Sequence, residues 1–138
     1  MSREANVAVI RRSFDAFEAF DMERWTADWD DDITFDVSGY EPWKGDVKLY
    51  RGHADILDFF GTMMAGVRVL KVDVAVVEAV DDDRVIALYS ETRQEPDAAA
   101  PHEVDVGILY TLRDEKLAHV RVFSDQAAAR RAAAGAGV

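Results

Sequence analysis

The sequence contains no cysteine among its 138 residues. This absence excludes disulfides, cysteine nucleophiles and thiolate metal sites, and it suits a reducing cytoplasm. Positive charge is also scarce, because 16 lysines and arginines face 27 aspartates and glutamates, for a formal net charge of -11. A chain this acidic repels phosphate groups, so we expect neither nucleic acid nor an anionic membrane as a partner.

Long apolar runs are missing as well. No run approaches the roughly 18 residues that a membrane-spanning helix requires, and residues 1–14 lack the apolar core of a signal peptide. These two absences predict a cytoplasmic protein. Hydrophobic residues nevertheless make up 49% of the chain, which is enough for a substantial core. The length is close to the commonest domain size and predicts that residues 1–138 form a single domain.

Three segments in the first half have the apolar periodicity of helices. The first covers residues 2–20, the second begins after a capping residue, Asp21, and the third begins at Gly52. Trp25 and Trp29 are four positions apart, so we expect both on one face of the second helix, which the following aspartates end.

The second half is dominated by strands. A short strand is predicted at 33–37, and four strand-like runs then follow one another over residues 67–124. Asp125 or Ser124 is placed to cap a final alanine-rich helix that Gly135 ends. Helices followed by a long antiparallel meander predict an α+β fold, in which a strongly curved, mostly antiparallel sheet wraps around three N-terminal helices as a cone with a pocket.

Four segments carry a resemblance to a known family: VAVIRRSFDAFEAFDMERW, DDDITFDV, YRGHADILDFF and YTLRDEKLAHVRVFSDQAAARRAAAG. In this order and spacing they resemble SnoaL-like proteins of the nuclear-transport-factor-2-like superfamily, whose members include polyketide cyclases, ketosteroid isomerases and limonene epoxide hydrolases. The resemblance spans nearly the whole chain and implies a cystatin-like α+β barrel. One departure is Glu115, which replaces the usual glycine of an Arg-Asp-Gly-Lys turn. We expect this residue at positive φ, at a cost of about 1 kcal/mol.

The catalytic set of the epoxide hydrolases does not carry over. Their Arg-x-Asp pair falls on a strand that here reads Thr92-x-Gln94, and their second aspartate falls on Val122. Their pocket tyrosine and asparagine fall near Phe35 and Val37. Epoxide opening needs one group to activate water and another to protonate the oxygen, and the aligned positions supply neither.

The set of the ketosteroid isomerases is also incomplete. Its helix-one tyrosine falls near Ser13, its strand acid near Ile108, and its base on Val37 or, after a one-residue shift, on Asp36. A base without an oxyanion hole loses one of the largest catalytic contributions. SnoaL-type cyclases use an aspartate as acid/base on a polyketide, and Asp36 or Asp105 could take that role.

Charged residues on the strands fall opposite the apolar positions. The even positions of the third strand-like run in the second half are apolar. Charged residues at the odd positions are therefore expected to lie on the opposite, open face of the sheet, where they form cross-strand pairs. The odd-numbered residues of the strands that are expected on this open face are Tyr89, Glu91, Arg93, Asp105, Leu109, Arg121 and Phe123. Because this mixture suits an interface, and because relatives commonly pair through the same sheet, we predict a homodimer through the open sheet face.

Metal ligands are not expected. The acidic run 28–32 matches no calcium loop, since it lacks the glycine and the distal glutamate. His102 and His119 are isolated and do not make a zinc site. His53, in the first turn of the third helix, is expected to be solvated. We therefore predict no metal and no cofactor.

The predicted pocket leaves two functions open. One is a domain that binds a small hydrophobic molecule. The other is an isomerase, cyclase or hydrolase of a small apolar or polycyclic substrate, with Asp36 as acid/base and Tyr40 or Tyr110 as hydrogen-bond donor. The catalytic role requires Asp36 to point into the cavity. The predicted ligand-binding residues are Phe17, Trp25, Trp29, Phe35, Val37, Phe60, Met64, Thr92, Val106, Ile108, Tyr110 and Val122.

Overall fold

A computed structural model describes residues 2–135 and shows four helices and six strands in one sheet. None of the helices in this range is both long enough and apolar enough to cross a membrane. The elements are α1 (Arg3–Glu18), α2 (Met22–Ala27), β1 (Trp29–Gly39), β2 (Leu49–Arg51), α3 (His53–Met63), β3 (Arg68–Ala79), β4 (Arg84–Gln94), β5 (His102–Arg113), β6 (Lys116–Phe123) and α4 (Gln126–Ala134).

The helix boundaries follow local capping chemistry. The side chain of Ser2 accepts a hydrogen bond from the Ala5 backbone N–H, and that of Asp21 accepts one from Arg24. Asp125 caps α4 in the same way, through the backbone N–H of Ala127. Each cap satisfies a backbone donor that the first turn of a helix leaves unpaired. The predicted caps of α1, α2 and α4 are confirmed.

The prediction for the end of α2 was wrong. This helix stops at Ala27, and Trp29 is already the first residue of β1, opposite Leu117 of β6. The strand is therefore 11 residues long, whereas the predicted strand covered 33–37. Pairing with a strand distant in sequence outweighs the local spacing of the two tryptophans, as tertiary context commonly outweighs a local pattern.

The six strands form an open, curved sheet in the order β2-β1-β6-β5-β4-β3. Four neighbouring pairs are antiparallel, and β1 runs parallel to β6. The first three helices lie against one face, which we call the inner face, and the result is the predicted α+β cone. The short strand β2 lies between the predicted strand and the third predicted helix and was not predicted itself; there Tyr50 pairs with Phe35 of β1.

The turn between β5 and β6 contains the predicted departure from glycine. Asp114 has φ 52° and Glu115 has φ 61°. Because Arg113 and Lys116 are paired, these two residues form a two-residue hairpin loop with both φ angles positive, as a type I′ turn requires. The expectation for Glu115 is confirmed, and Asp114 shares the same conformation.

Two hydrophobic cores lie on opposite faces of the sheet. The larger lies between the inner face and α1–α3, and the smaller lies between the outer face and α4. At Gly107 a Cβ would lie 2.6 Å from the Cβ of Ala129, so the glycine allows α4 to approach the sheet closely. Leu109 and Phe123 are buried beneath this helix.

The predicted faces of β4 were wrong by one position. Tyr89 pairs with Val106, and Glu91 pairs with Val104, so the odd positions of β4 share the inner face with the even positions of β5. Tyr89, Glu91 and Arg93 therefore point inward. With Leu109 and Phe123 covered by α4, five of the seven residues that motivated the dimer prediction do not lie on an open face. The homodimer stays a prediction, with a smaller surface to support it.

Candidate functional site

A cavity of about 80 Å³ lies between the three N-terminal helices and the inner face of the sheet. Twelve of the fourteen predicted site residues line it: Phe17, Trp25, Trp29, Phe35, Val37, Tyr40, Phe60, Met64, Val106, Ile108, Tyr110 and Val122. The other ten residues of its wall are Ser13, Phe14, Ile33, Phe59, Met63, Tyr89, Glu91, Arg93, Leu117 and Val120. The alternation of β1, β5 and β6 places their apolar side chains on this face.

One wall of the cavity is aromatic. The ring of Trp25 lies 5.0 Å from those of Trp29 and Phe60 and 5.5 Å from that of Phe17, measured between centroids. The two closer contacts have edge-to-face geometry, which is favourable for aromatic rings. His53 packs against Trp29 and contacts the backbone oxygen of Asp30 through Nε2 at 3.1 Å. It is half-buried, so the histidine that the sequence predicted as solvated is only partly in contact with solvent.

The part of the wall formed by β4 carries charged side chains. Nε of Arg93 donates a hydrogen bond of 2.7 Å to Oε2 of Glu91, and the two side chains are 9% and 3% exposed. Two positions apart on one strand, they point to the same side. A pair of charges buried this deeply is stable only because each compensates the other.

The carboxylate–arginine pair was missed in the alignment with epoxide hydrolases. The aligned positions Thr92 and Gln94 lie one residue beyond Glu91 and Arg93, on the other face of the strand. The order Glu-x-Arg is also the reverse of the Arg-x-Asp pair that the resemblance implied. The sequence feature that could have revealed the pair is the Glu-x-Arg spacing, because residues two apart on a strand point to the same face.

Tyr40 completes the polar end of the cavity. It follows β1 in a turn in which its backbone N–H donates to the Val37 oxygen at 2.9 Å. The residue is 3% exposed. Its hydroxyl meets no group among residues 2–135 in full hydrogen-bonding geometry, although the guanidinium of Arg93 lies close enough to interact with it. Burial raises the pKa of Tyr40, while the nearby guanidinium of Arg93 opposes that rise. The tyrosine therefore stays protonated at neutral pH and keeps its donor.

Two further tyrosine rings lie in the same wall. Burial raises the pKa of Tyr89 well above its ordinary value, and the charge of Glu91 raises it further. Burial also raises the pKa of Tyr110. Tyr89 packs edge-on against Phe14, with centroids 5.0 Å apart. Both hydroxyls therefore remain neutral donors at neutral pH, as does that of Tyr40.

Asp36 and Thr92 do not lie in the cavity. Asp36 is on the outer face of β1, 25% exposed, where Oδ1 accepts a hydrogen bond from the Ser38 backbone and Oδ2 lies 4.0 Å from Nε of Arg121. Thr92 is on the outer face of β4, because the register of that strand places Glu91 inside. The predicted placement of both residues was wrong, and Asp36 lacks the burial that an acid/base role requires.

A second polar cluster lies on the outer face. Nδ1 of His119 and Oγ1 of Thr34 are hydrogen-bonded between β6 and β1. Burial lowers the pKa of His119, the charge of Asp36 opposes this change, and the charge of Arg121 adds to it. Within the part of the chain that the structure describes, no group of three or more histidine or acidic side chains is arranged to hold a metal ion.

The fold and the cavity agree with the relationship found by comparison. Residues 10–120 match the family model of the SnoaL-like domain. The chain belongs to the SnoaL-like domain family. Membership confirms the resemblance to SnoaL-like proteins that the four sequence segments carry. None of the curated proteins matches the chain.

Solved structures share the architecture at low sequence identity. An NTF2-like protein from Burkholderia xenovorans LB400 is 22% identical, covers 96% of this chain and 98% of its own, and has a TM-score of 0.71. TerC, co-crystallized with polyporic acid, is 18% identical, with coverages of 94% and 98% and a TM-score of 0.73. Bal32a, from a soil-derived mobile gene cassette, is 21% identical, with coverages of 87% and 88% and a TM-score of 0.73. At these identities the likeness concerns the fold.

Proposed function

We propose that this SnoaL-like domain binds a compact, mostly apolar small molecule in the cavity of the cone. The observation that carries this proposal is the composition of the wall, which is aromatic and aliphatic except for Ser13, the tyrosine hydroxyls and the Glu91–Arg93 pair. Pockets for small molecules combine a predominantly apolar lining with a few placed polar groups. The polyporic acid bound to TerC is consistent with a cone of this shape holding a small organic molecule.

The volume of the cavity limits the size of the ligand. An apolar cavity of about 150 Å³ accepts benzene, and this cavity has about 80 Å³. A single small ring fits if side chains of the wall move slightly, and Met63 and Met64 are the flexible members of that wall. A polycyclic substrate would require a much larger opening, so the proposal favours a ligand of one ring or of similar bulk.

The catalytic alternative loses Asp36 and would have to use Glu91, the carboxylate in the cavity wall. Beside Tyr40 and Arg93, this carboxylate could accept a proton from the carbon next to a ligand carbonyl. Exchange of the α-protons of cyclohexanone in D2O, followed by NMR, tests this alternative. Exchange that the protein accelerates and that Glu91→Gln abolishes would support catalysis, whereas an unchanged rate supports binding alone.

Titration with methylenecyclohexane, a one-ring hydrocarbon, tests the binding proposal. Chemical shifts of the tryptophan indole groups report on the aromatic wall, and we expect saturable changes at Trp25 and Trp29. Ile108→Phe places a ring in the cavity and should abolish binding. Thr92→Phe adds the same ring on the outer face of the neighbouring strand and serves as the matched control.

The two variants separate cavity binding from surface binding. Loss of binding in Ile108→Phe together with retention in Thr92→Phe supports the proposal. Equal binding by both variants, with both still folded by circular dichroism, would show that the hydrocarbon lies elsewhere.

A further inference from the structure

The hydroxyl of Tyr40 is the polar atom of the cavity that most needs a partner. It is buried and unpaired among the described residues, in a protein whose other buried side-chain polar atoms in that range are paired, apart from Oδ1 of Asn6. A buried hydroxyl without a hydrogen bond destabilises a fold. A ligand that accepts from Tyr40 would remove that penalty.

The neighbouring Arg93 adds donors without adding net charge. Its Nε donates to Glu91, and its guanidinium also lies beside the hydroxyl of Tyr40. The charge of Glu91 balances that of the guanidinium at 2.7 Å. This end of the cavity therefore offers N–H and O–H donors in a site that is electrically neutral as a whole.

Such a site distinguishes ligands by the charge of the acceptor. A neutral carbonyl oxygen can accept from Tyr40 and from Arg93 and loses little hydration on entry. A carboxylate would lose far more hydration and would lie close to the carboxylate of Glu91, which already uses the positive charge of the site.

We propose that the cavity selects neutral ligands whose carbonyl oxygen accepts a hydrogen bond from Tyr40 beside the Arg93 guanidinium. This inference rests on the proposed function, because it identifies the polar group of the same small apolar ligand. Tyr40 is thus the residue that sets the orientation of the ligand, and the Glu91–Arg93 pair excludes anions.

Three probes of similar shape test the inference: methylenecyclohexane, cyclohexanone and cyclohexanecarboxylate. Each is titrated into the wild-type protein, Tyr40→Phe and Tyr50→Phe. The hydroxyl of Tyr50 donates to the Val47 backbone oxygen and lies outside the cavity wall, so this variant is the matched control.

We expect Tyr40→Phe to weaken cyclohexanone binding roughly three- to tenfold, the range that one hydrogen bond supplies. Binding of methylenecyclohexane should be unchanged in this variant, and Tyr50→Phe should alter neither affinity. Cyclohexanecarboxylate should bind more weakly than cyclohexanone at pH 7. The infrared band of the bound ketone should lie at lower frequency than that of the ketone dissolved in hexane, where no hydrogen bond is available, and this shift should be smaller in Tyr40→Phe.

The outcomes separate the two proposals. If neither hydrocarbon nor ketone binds, the proposed function itself fails. If methylenecyclohexane binds while the ketone affinity ignores Tyr40→Phe, only the carbonyl inference is overturned; carboxylate binding tighter than ketone binding overturns it as well. Should Tyr40→Phe not fold, the infrared band in the wild-type protein decides, because a bound ketone that absorbs at the frequency found in hexane has no hydrogen bond to its carbonyl.

Discussion

Two carboxylate–arginine pairs lie on opposite faces of the same sheet. On the inner face, Glu91 and Arg93 are joined at 2.7 Å with side chains 3% and 9% exposed. On the outer face, Asp36 and Arg121 are 4.0 Å apart with side chains 25% and 36% exposed. The chemical groups are equivalent, so the difference between the pairs arises from their surroundings.

The charged groups of the outer pair have other partners, whereas the charges of the inner pair are compensated chiefly by each other. Asp36 also accepts a hydrogen bond from the Ser38 backbone, and the Arg121 guanidinium lies 5.1 Å from the centroid of the Phe123 ring. Water reaches both groups and screens their attraction. Inside the cavity, removal of one partner leaves the other charge in an apolar wall. A carboxylate's position relative to solvent therefore matters more than its presence in the sequence.

Arg93→Met should produce the largest effect. We expect the free energy of unfolding to fall by about 3–5 kcal/mol, because Glu91 would remain as an uncompensated buried charge. Arg121→Met on the outer face should change it by less than about 1 kcal/mol. Urea unfolding at pH 7 measures both values.

A double variant distinguishes the buried charge from a simple loss of packing. Glu91→Met combined with Arg93→Met removes both charges and should recover most of the stability lost in Arg93→Met. Equal destabilisation by Arg93→Met and Arg121→Met would contradict the comparison between the two faces.

Tyr40→Phe should have the opposite sign. Removal of an unpaired buried hydroxyl should raise the free energy of unfolding by about 1 kcal/mol in the absence of ligand. Tyr50→Phe removes a hydroxyl that is bonded to Val47 and should lower it by about 1 kcal/mol. Thermal and urea unfolding of the free protein measure the difference, and a Tyr40→Phe variant clearly less stable than wild type would show that the hydroxyl serves the fold.

The outer face should show a pH dependence through His119. Its pKa is lowered in the folded state by burial, so below its ordinary pKa the unfolded chain binds more protons than the folded protein. The contribution of His119 to stability is therefore present above its ordinary pKa, near 6.5, and is lost as the pH falls through that value towards the lowered pKa. Urea unfolding between pH 5 and 8 should show this slope, and His119→Gln should flatten it.

Thr92→Val is expected to have the smallest effect. On the outer face the change should alter the free energy of unfolding by no more than about 0.5 kcal/mol. It should also leave the affinity for methylenecyclohexane unchanged. A weakened affinity in this variant would indicate that Thr92 lies in the cavity and that β4 has a different register.

The faces of the strands could be predicted where polar and apolar residues alternate. In β6 the polar His119 and Arg121 alternate with Val120 and Val122, and the predicted inner position of Val122 agrees with the structure. In β4 no such alternation exists from Val85 to Tyr89, because α4 buries the face opposite the cavity.

The site could be predicted only in its apolar part. Burial of a hydrophobic side chain follows from its chemistry, and this reasoning placed eleven of the twelve predicted ligand-binding residues in the wall. Charged residues were assigned to the outside by the same reasoning, which fails when two charges compensate each other inside, as in Glu91 and Arg93. The β4–β5 loop sets which positions share a face, and its geometry was not contained in any local pattern.

The parallel pairing of β1 with β6 has a consequence for biosynthesis. Thr34 and His119, which are bonded across this pair, are 85 positions apart. At about 5–20 residues per second, the partner of β1 is synthesised roughly 4–17 s after β1 itself. During this interval the nascent chain exposes the edge of β1 that will pair with β6, together with the apolar side chains of the incomplete cavity. Slow translation prolongs this exposure and should therefore lower the yield of folded protein.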